Sequence, residues 1–444
     1  MPIDALTALY RFGLGARPGD ARRAAHDPKG YLIEQIEERD RLAPLAKLTP
    51  ANEGHRLRFD FRARGGKSAQ ERERLKVAFA RAYQGDPILY VRHLVLAEAG
   101  FAERLALFWA NHLHVPNYMK GLQPLRGSYE NDVIRAHALG RFDDMLEASS
   151  GHPAMLVYLD QVRSVGPNSP VGKRRGLGLN ENYARELLEL HAMGVGRYDQ
   201  NDVTKLAALL TGWVVRSPIR WPEEAGRATF VTARHEPGPH EVLGTTYDGS
   251  PRTLRSRLVA DLAAHPATAR FVARKFARAF VPEPSDALNA YLERVFRDTR
   301  GDLRELARAL VLHDDAWEGS SDGKAGFASP FLYTIATARA LGTLKPRLLR
   351  NASARMGERI WGKPAPDGWP PSGPHWFGGQ ALEARLALAR ELAAMVDPDR
   401  APTNLAKSLM GERLSAATRR MLEGAATPQQ AYALLAMAPE TMLR

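Results

Sequence analysis

The stretch DVTKLAALLTGW, Asp202–Trp213, shows the pattern that sets the fold of this chain. Its apolar residues recur every three or four positions and therefore form one stripe along an α-helix. These positions are Val203, Leu206, Ala207 and Leu210. Asp199 and Asn201 stand just ahead of the stripe, where either side chain can act as the N-cap. The pattern predicts a short amphipathic helix.

The same helical period recurs along most of the chain, whereas the evidence for strands is thin. Further predicted helices are Ala5–Arg11, Ile88–Ala110, Ala267–Phe280, Leu303–Leu312, Phe331–Leu341 and Ala381–Met395. Short β-prone pieces punctuated by glycine occur only in Thr229–Tyr247, which predicts a small hairpin. We expect a mainly α, multi-helical single domain over residues 1–444, with a subdivision near residue 250 as the alternative.

The composition is that of an ordinary globular protein, with 44% hydrophobic and 25% charged residues among 444. The longest apolar stretches, such as Phe331–Ala340, are too short and too interrupted to span a membrane. Met1–Asp4 shows neither a basic segment nor a long apolar one, so a cytoplasmic location is the default expectation. Cysteine is absent, which excludes disulfides, thiolate nucleophiles and thiolate metal ligands.

The formal net charge of +12 raises the question of a nucleic-acid partner. The basic residues are 50 arginines and 12 lysines, a balance that a GC-rich genome produces through codon usage. They are scattered along helices, and even the densest stretch, Arg56–Arg81, contains Glu71 and Glu73. This distribution argues against nucleic-acid binding as the function.

Three glycine- and proline-rich stretches interrupt the helical rhythm: Arg163–Leu179, Ser217–Gly249 and Lys363–Gly379. The third combines Trp369 and Trp376 with several prolines, which are Pro364, Pro366, Pro370, Pro371 and Pro374. Long loops in compact domains are usually functional or disordered, and the aromatic and histidine content here favours order. We expect the first two loops to emerge close together and to cover a site.

The most distinctive segment is NENYARELLELH, Asn180–His191. At 100° per residue, four polar side chains share one helical stripe about 100° wide. They are Asn182, Arg185, Glu186 and Glu189. Two carboxylates beside a guanidinium can bind a cation or act as an acid–base pair. The alternative is a solvated face with an Arg185–Glu189 ion pair and Asn180 as N-cap.

Other candidate residues lie outside this helix. His112 and His114 follow an aromatic run and converge only if the helix ends between them, and a lone histidine there is more often a core residue. Asp160 closes an apolar run before the first loop, where it either lines a cleft or caps the loop. His235, Glu236 and His240 supply three potential ligands in the second loop, unless that loop is simply solvent-exposed.

Several blocks of the sequence carry a resemblance to a known family. The earlier blocks are Phe108–His112, Ala138–Phe142, His152–Asp160, Asn180–His191, Tyr198–Val203 and Leu210–Trp213. The later blocks are Phe230–His235, Leu243–Gly244, His265–Ala269, Lys275–Val281, Gly368–Pro370 and Ala438–Glu440. In this order they resemble the signature blocks of the bacterial family called domain of unknown function 1800 (DUF1800), over nearly the whole chain.

The chain departs from the family pattern at two positions. The family commonly has His-Asp where this chain has His235-Glu236, and lysine where it has His240. A longer carboxylate can still bind a cation, whereas a change from lysine to histidine argues against a fixed charge. Many relatives carry an export signal and are encoded beside a domain of unknown function 1501 (DUF1501) protein, which resembles exported hydrolases. The resemblance thus implies a DUF1501-family partner and an exported location as the alternative to a cytoplasmic one.

The leading functional hypothesis is an enzyme of hydrolase or lyase type that uses the carboxylates of the Asn180–His191 helix. The candidate catalytic residues are Glu186, Glu189, Asp160, Arg185 and Asn182. The candidate ligands of a divalent cation are Glu186, Glu189, His235 and His112. Oxygen ligands favour Mg²⁺, Ca²⁺ or Mn²⁺, and the histidines shift the preference toward Zn²⁺ or Fe. The competing hypothesis is a non-enzymatic binding or assembly protein.

Overall fold

A computed structural model describes residues 4–442 apart from 39–40, 64–65, 120, 319–325, 372, 374–375, 377 and 398. Pro374 of the third loop therefore lies outside the described residues. The prediction of a mainly α fold is confirmed, since helices account for most of the described chain. The helices of the first half are α1 Asp20–Ala24, α2 Pro28–Glu37, α3 Ala51–Arg62, α4 Ala69–Ala80, α5 Asp86–Leu96, α6 Gly100–His112, α7 Arg126–Tyr129, α8 Phe142–Gly151, α9 Pro153–Tyr158, α10 Pro170–Arg175, α11 Asn182–Glu186 and α12 Gln200–Leu210.

The second half is helical as well. Along the whole described chain, short π-helical or 3₁₀ segments join several of the helices. The helices of the second half are α13 Pro251–Ala264, α14 Pro266–Phe280, α15 Asp286–Asp298, α16 Leu303–Leu312, α17 Pro330–Leu341, α18 Pro346–Arg355, α19 Gly379–Ala393, α20 Pro402–Met410, α21 Ala416–Glu423, α22 Pro428–Ala436 and α23 Pro439–Met442. Segments with π-helical geometry are Thr7–Phe12, Arg81–Gly85, Glu130–Arg135 and Leu187–Ala192. Single 3₁₀ turns occur at Gln123–Leu125, Gln161–Arg163, Pro222–Glu224, Thr232–Arg234, Asp314–Ala316 and Gly411–Arg413.

Helix ends follow local chemistry where the sequence supplies a cap. The Asp199 side chain accepts a hydrogen bond from the backbone N–H of Asp202, and the Asp202 carboxylate accepts one from the backbone N–H of Asp199. Helix α12 therefore begins as expected. The predicted helix Leu303–Leu312 has the observed bounds of α16, with Asp302 as its cap. Local capping and periodicity therefore fix these elements without help from distant residues.

The prediction of one continuous helix over Ile88–Ala110 is wrong. Helix α5 ends at Leu96, and a separate helix, α6, begins at Gly100. The reason is a distant side chain. The Arg339 guanidinium in α17 donates hydrogen bonds to the backbone oxygens of Leu94, Val95 and Ala97. These are carbonyls that the end of α5 leaves without helical partners, so Arg339 stabilises the break.

Two small antiparallel pairs make up the named strands of the described chain. Strands β3 His240–Val242 and β4 Thr245–Tyr247 form the hairpin that the sequence predicts. Strand β2 Thr229–Phe230 pairs instead with β1 Trp213–Val214, which lies outside the predicted range. The pairing brings the end of α12 against the second loop.

The buried side chains form two clusters. The first contains Trp109, Tyr183 and Phe276 and continues across residue 250 as far as Trp317. The second combines the start of the chain and α5 with the C-terminal helices from Ala328 onward. Helix α6 lies between the clusters, since Phe108 belongs to the first while its neighbour Leu107 packs against the second. Among the described helices, none is both long enough and apolar enough to cross a membrane.

Candidate functional site

The distinctive segment Asn180–His191 is helical but changes geometry halfway. Helix α11 ends at Glu186, and the chain continues directly into the π-helical segment Leu187–Ala192. A π turn is wider than an α turn, so each residue advances by a smaller angle and the stripe predicted at 100° per residue is not maintained. Glu186 and Glu189 therefore lie in different surroundings although they are only three positions apart.

Glu186 is a partly buried carboxylic acid, and its surroundings disfavour ionisation. Burial raises the pKa of Glu186, and the negative charges of Glu189 and Asp367 raise it further. The positive charge of Arg185 acts in the opposite direction without cancelling these effects. Glu186 forms no hydrogen bond or ion pair with another residue of the described chain. It is thus a carboxyl group with a pKa moved toward neutrality and with its oxygens uncommitted.

Glu189 has a direct partner. The Tyr198 hydroxyl donates a hydrogen bond of 2.6 Å to the Glu189 carboxylate. Burial and this bond raise the pKa of Tyr198 to about 12, so its proton stays in place at neutral pH. The bond fixes the orientation of Glu189 beside Glu186.

Arg185 does not form the ion pair with Glu189 that the solvated-face alternative requires. Its guanidinium contacts Glu181 at 3.4 Å and donates to the Gln200 side chain at 2.8 Å. Glu181 also accepts hydrogen bonds from Gln200 and Thr204, so this network ties α11 to α12. Asn182 is exposed, and its backbone N–H is bound by the Asn180 side chain. Arg185 and Asn182 thus belong to the outer, structural side of the segment.

The inner side of the segment faces a group of buried basic side chains. His112, the last residue of α6, donates from Nε2 to the backbone oxygen of His191 at 3.1 Å. Burial lowers the pKa of His112 well below its usual value, and lowers that of His191 to about 3. The positive charge of Lys275 also lowers both values, which places its ammonium group close to the two rings.

Lys275 is the cation of this group, presented by the long helix α14. Its side chain is partly buried, and its ammonium nitrogen lies 5.7 Å from the centre of the Phe271 ring. Burial lowers the pKa of Lys275 to about 8, and the charge of Asp367 opposes part of that effect. Within the described chain its ammonium group has no ion-pair partner. Asp367 therefore interacts electrostatically with both Lys275 and Glu186.

The third loop brings Asp367 to this position. The Asn111 side chain accepts from the Trp369 backbone N–H and donates to the Trp369 oxygen, both at 2.7 Å. Gly368 makes this approach feasible, because its φ is +76° and a Cβ there would overlap the backbone oxygen of Asn111. The Tyr158 hydroxyl donates to the Pro364 oxygen at 3.1 Å, so the loop is also attached to α9.

The same loop borders a cavity of about 90 Å³. His114, Asn111 and Trp369 line it together with Trp361 and Pro370. The His114 ring donates to the Lys363 backbone oxygen at 3.0 Å, and burial lowers the pKa of His114 to about 3. The cavity can accommodate a few water molecules or a small polar group.

The first two loops pack against each other, but they surround a different cavity. The Glu236 carboxylate accepts hydrogen bonds from the Asn168 backbone and side chain at 2.9 and 2.6 Å. The His235 ring bonds to the Thr211 oxygen at 3.0 Å and lines a cavity of about 610 Å³. Glu186 and Glu189 do not line that cavity. The structure thus gives Glu236 a tethering role and places the His235 ring against Thr211, directly after helix α12.

Asp160 occupies the turn after α9. Its backbone is left-handed, with φ at +59°, and its carboxylate lies 3.3 Å from the exposed Arg163 guanidinium. Aspartate tolerates this backbone conformation better than most residues, which accounts for its place at the turn. No contact links Asp160 to Glu186 within the described chain.

The residues proposed as metal ligands do not come together. Glu186 and Glu189 are neighbours, whereas His112 bonds to His191 and His235 bonds to Thr211. Throughout the described residues, no group of three or more histidine, aspartate and glutamate side chains is placed to hold a metal ion. The arrangement is instead one of carboxylates near two ammonium groups, because Asp367 forms an ion pair with Lys363 at 3.8 Å and also acts electrostatically on Lys275.

Two central residues were not among the candidates from sequence. Lys275 was noted only within a block of family resemblance, and a lone lysine on an amphipathic helix usually marks the solvated face. Asp367 belongs to the third loop. The prolines and tryptophans of this loop indicate that it is ordered, but not which residues its side chains approach. Only the hydrogen bonds of Asn111 and Tyr158 to that loop reveal where Asp367 lies.

The comparisons with known proteins agree with the resemblance seen in the sequence. The model of the family described as "Protein of unknown function (DUF1800)" matches residues 7–443. The chain therefore belongs to the DUF1800 family. No curated protein and no solved structure matches it.

Proposed function

We propose that this protein is an enzyme of hydrolase or lyase type in which Glu186 transfers a proton and Lys275 stabilises negative charge. The observation that carries the proposal is the pairing of pKa shifts around Asp367. The pKa of Glu186 is raised and that of Lys275 is lowered to about 8, so both move toward neutral pH. Groups with pKa values shifted in this way are typical of catalytic acids and bases.

The treatment of buried charges elsewhere in the molecule supports this interpretation. Glu103 is held by the Arg135 guanidinium through two hydrogen bonds of 2.7 and 2.9 Å, and the His93 ring adds a third contact. That network leaves its carboxylate fully paired, as structural buried charges usually are. Glu186 and Lys275 lack such direct partners within the described chain, although leaving charges unpaired is unfavourable. Charged groups without direct partners are available to bind a substrate.

The residues suggest a division of roles. A carboxyl group whose pKa is raised by burial and by neighbouring negative charges is suited to give or take a proton, which is the part we assign to Glu186. Lys275 is mostly an ammonium ion at pH 7, and it can stabilise the oxyanion of a hydrolysis or the enolate of an elimination. Glu189 is held beside Glu186 by its hydrogen bond from Tyr198, and its charge contributes to the raised pKa of Glu186. The Asn111-anchored loop carries Asp367, whose charge acts on both Glu186 and Lys275.

The proposal is tested with a panel of esters, glycosides, phosphate esters and polyuronates. Uronate elimination is followed by the absorbance of the unsaturated product. Glu186→Gln and Lys275→Met should each lower kcat by about 10²–10⁴-fold while circular dichroism stays unchanged. Glu34→Gln and Lys205→Met are matched controls, because both side chains are exposed and lie on other helices. A substrate that is turned over equally well by Glu186→Gln contradicts the assigned role.

One observation favours the alternative, a binding or assembly protein that works with a DUF1501-family partner. Helix α4 contains no buried residue, and Val77 on it is 64% exposed. The only aromatic stacking found for this helix in the described chain joins Phe79 to Phe61 of α3. Such a projecting hairpin offers a surface for docking. Co-elution with the partner in gel filtration, lost in Val77→Asp, would support this alternative, whereas separate elution would speak against it.

A further inference from the structure

A second, polar cavity lies away from the Glu186 group. Its volume is about 270 Å³, and it is formed where α18 packs near the start of α5. Its walls come from three parts of the chain and include Tyr83, Gln84, Asn117, Arg350, Asn351 and Arg359. The lining contains two guanidinium groups, and none of the described residues that line it is an aspartate or a glutamate. The cavity is therefore positively charged.

The first guanidinium, that of Arg350, is held in the cavity wall. It donates to the Gln84 backbone oxygen at 3.3 Å and to the Asn351 side chain at 3.1 and 2.9 Å. An arginine has five N–H groups, and these three bonds leave two for another acceptor. Burial lowers the pKa of Arg350, and so do the positive charges of Arg347 and Arg359. Like charges thus repel one another at this cavity.

The second guanidinium, that of Arg359, is uncommitted. Its side chain is exposed at the mouth and forms no hydrogen bond or ion pair with another residue of the described chain. Its backbone is fixed, because the Arg359 oxygen accepts from the Trp369 ring nitrogen at 3.2 Å. Asn117 is only 4% exposed and adds a buried amide to the lining. Fixed backbone and free donors are features of a binding residue.

We propose that this cavity binds a tetrahedral oxyanion, such as the phosphate group of a small molecule, between Arg350 and Arg359. Guanidinium groups bind phosphate through paired, charge-assisted hydrogen bonds, and amide and phenol groups complete the shell. A phosphate group carries a charge of about −1.5 to −2 at pH 7, which would offset the repulsion between the arginines. The volume admits the anion together with several further atoms. This inference does not depend on the role of Glu186.

The test is a titration of the full-length protein with inorganic phosphate, followed by calorimetry at constant ionic strength in chloride. We expect saturable binding at one site. Arg359→Gln and Arg350→Gln should each weaken binding by about tenfold or more, because each removes charge-assisted hydrogen bonds. Arg355→Gln is the matched control on the helix of Arg350, since Arg355 is exposed, does not line the cavity and has Glu391 as an ion-pair partner at 3.5 Å. This control should bind phosphate like the unaltered protein.

Three results would overturn the proposal: binding that does not saturate, equal weakening by Arg355→Gln, or unchanged binding in Arg359→Gln. Because Arg359 is exposed, its substitution is not expected to affect folding, and a thermal melt checks this. A parallel titration with sulfate identifies the anion. Equal affinity assigns the site to tetrahedral dianions in general, and weaker sulfate binding assigns it to phosphate.

Discussion

Replacing Lys275 by methionine should stabilise the protein at neutral pH. Methionine retains most of the aliphatic length of the side chain and removes the ammonium charge, which is partly buried in α14 without an ion-pair partner in the described chain. Most substitutions in folded proteins destabilise, so a gain at this position is a specific consequence of the environment of Lys275.

The magnitude follows from the pKa of Lys275. The folded protein lowers it from 10.5 to about 8, and a difference of this size corresponds to about 3 kcal/mol of unfavourable free energy for the charged form. Partial exposure reduces the effect, so we expect a gain of about 1–3 kcal/mol for Lys275→Met at pH 7. Below pH 8 the lysine is charged in both the folded and the unfolded state, and the full cost is present. As the pH rises from 8 to 10.5, only the folded state releases its proton, and the cost disappears.

Urea denaturation of Lys275→Met and the unaltered protein at pH 7, 8, 9 and 10 measures this difference directly. Because the two proteins otherwise contain the same titratable groups, the difference between their free energies of unfolding follows the charge of Lys275. Lys205→Met, an exposed position on α12, should show no comparable gain. The reasoning is refuted if Lys275→Met is not stabilised at pH 7, or if its advantage stays constant up to pH 10.

Three further substitutions test other parts of the structure. Glu186→Gln should raise the free energy of unfolding at pH 7, because the raised pKa of Glu186 makes its ionised form unfavourable in the folded protein. The gain should vanish below the ordinary pKa of about 4.5, where the carboxyl group is protonated in both states. Urea denaturation of the variant and the unaltered protein at pH 7 and pH 4 measures the difference. Glu103→Gln should lower stability by about 3–5 kcal/mol, because Arg135 would stay buried without its carboxylate, as guanidinium denaturation would show. Gly368→Ala should lower the free energy of unfolding by more than about 1 kcal/mol, as urea denaturation would show, because the backbone φ of Gly368 is +76°.

The helices could be predicted from sequence because their determinants are local. Asp199 and Asp302 cap α12 and α16 from within a few positions, and the apolar period marks their length. The break between α5 and α6 depends on Arg339, which lies more than 240 residues away along the chain. No local pattern contains that information. The pairing of β1 with β2 likewise depends on where the second loop returns to α12.

The candidate site likewise contains residues that the sequence could predict and distant partners that it could not. Glu186 and Glu189 could be proposed because both belong to one unusual segment. Their partners could not, since Lys275 and Asp367 are separated from them by about 90 and 180 positions and are carried by a different helix and a loop. The sequence predicts His235 near Glu186 and Glu189, because consecutive elements usually pack together. The first two loops do pack together, yet their shared contacts centre on Glu236 and Asn168 rather than on Glu186.

The wide turn at Leu187–Ala192 explains how one short segment supplies two carboxylates with different surroundings. In a continuous α-helix, residues three apart share a face, so Glu186 and Glu189 would be exposed to the same neighbours. The π-helical turn alters their relative directions, and Glu189 meets Tyr198 while Glu186 stays within electrostatic range of Asp367. Two like charges kept close but bonded differently are a means of raising the pKa of one of them. Because π-helical turns are rare and frequently occur at functional sites, this geometry supports Glu186 as the proton-transferring residue.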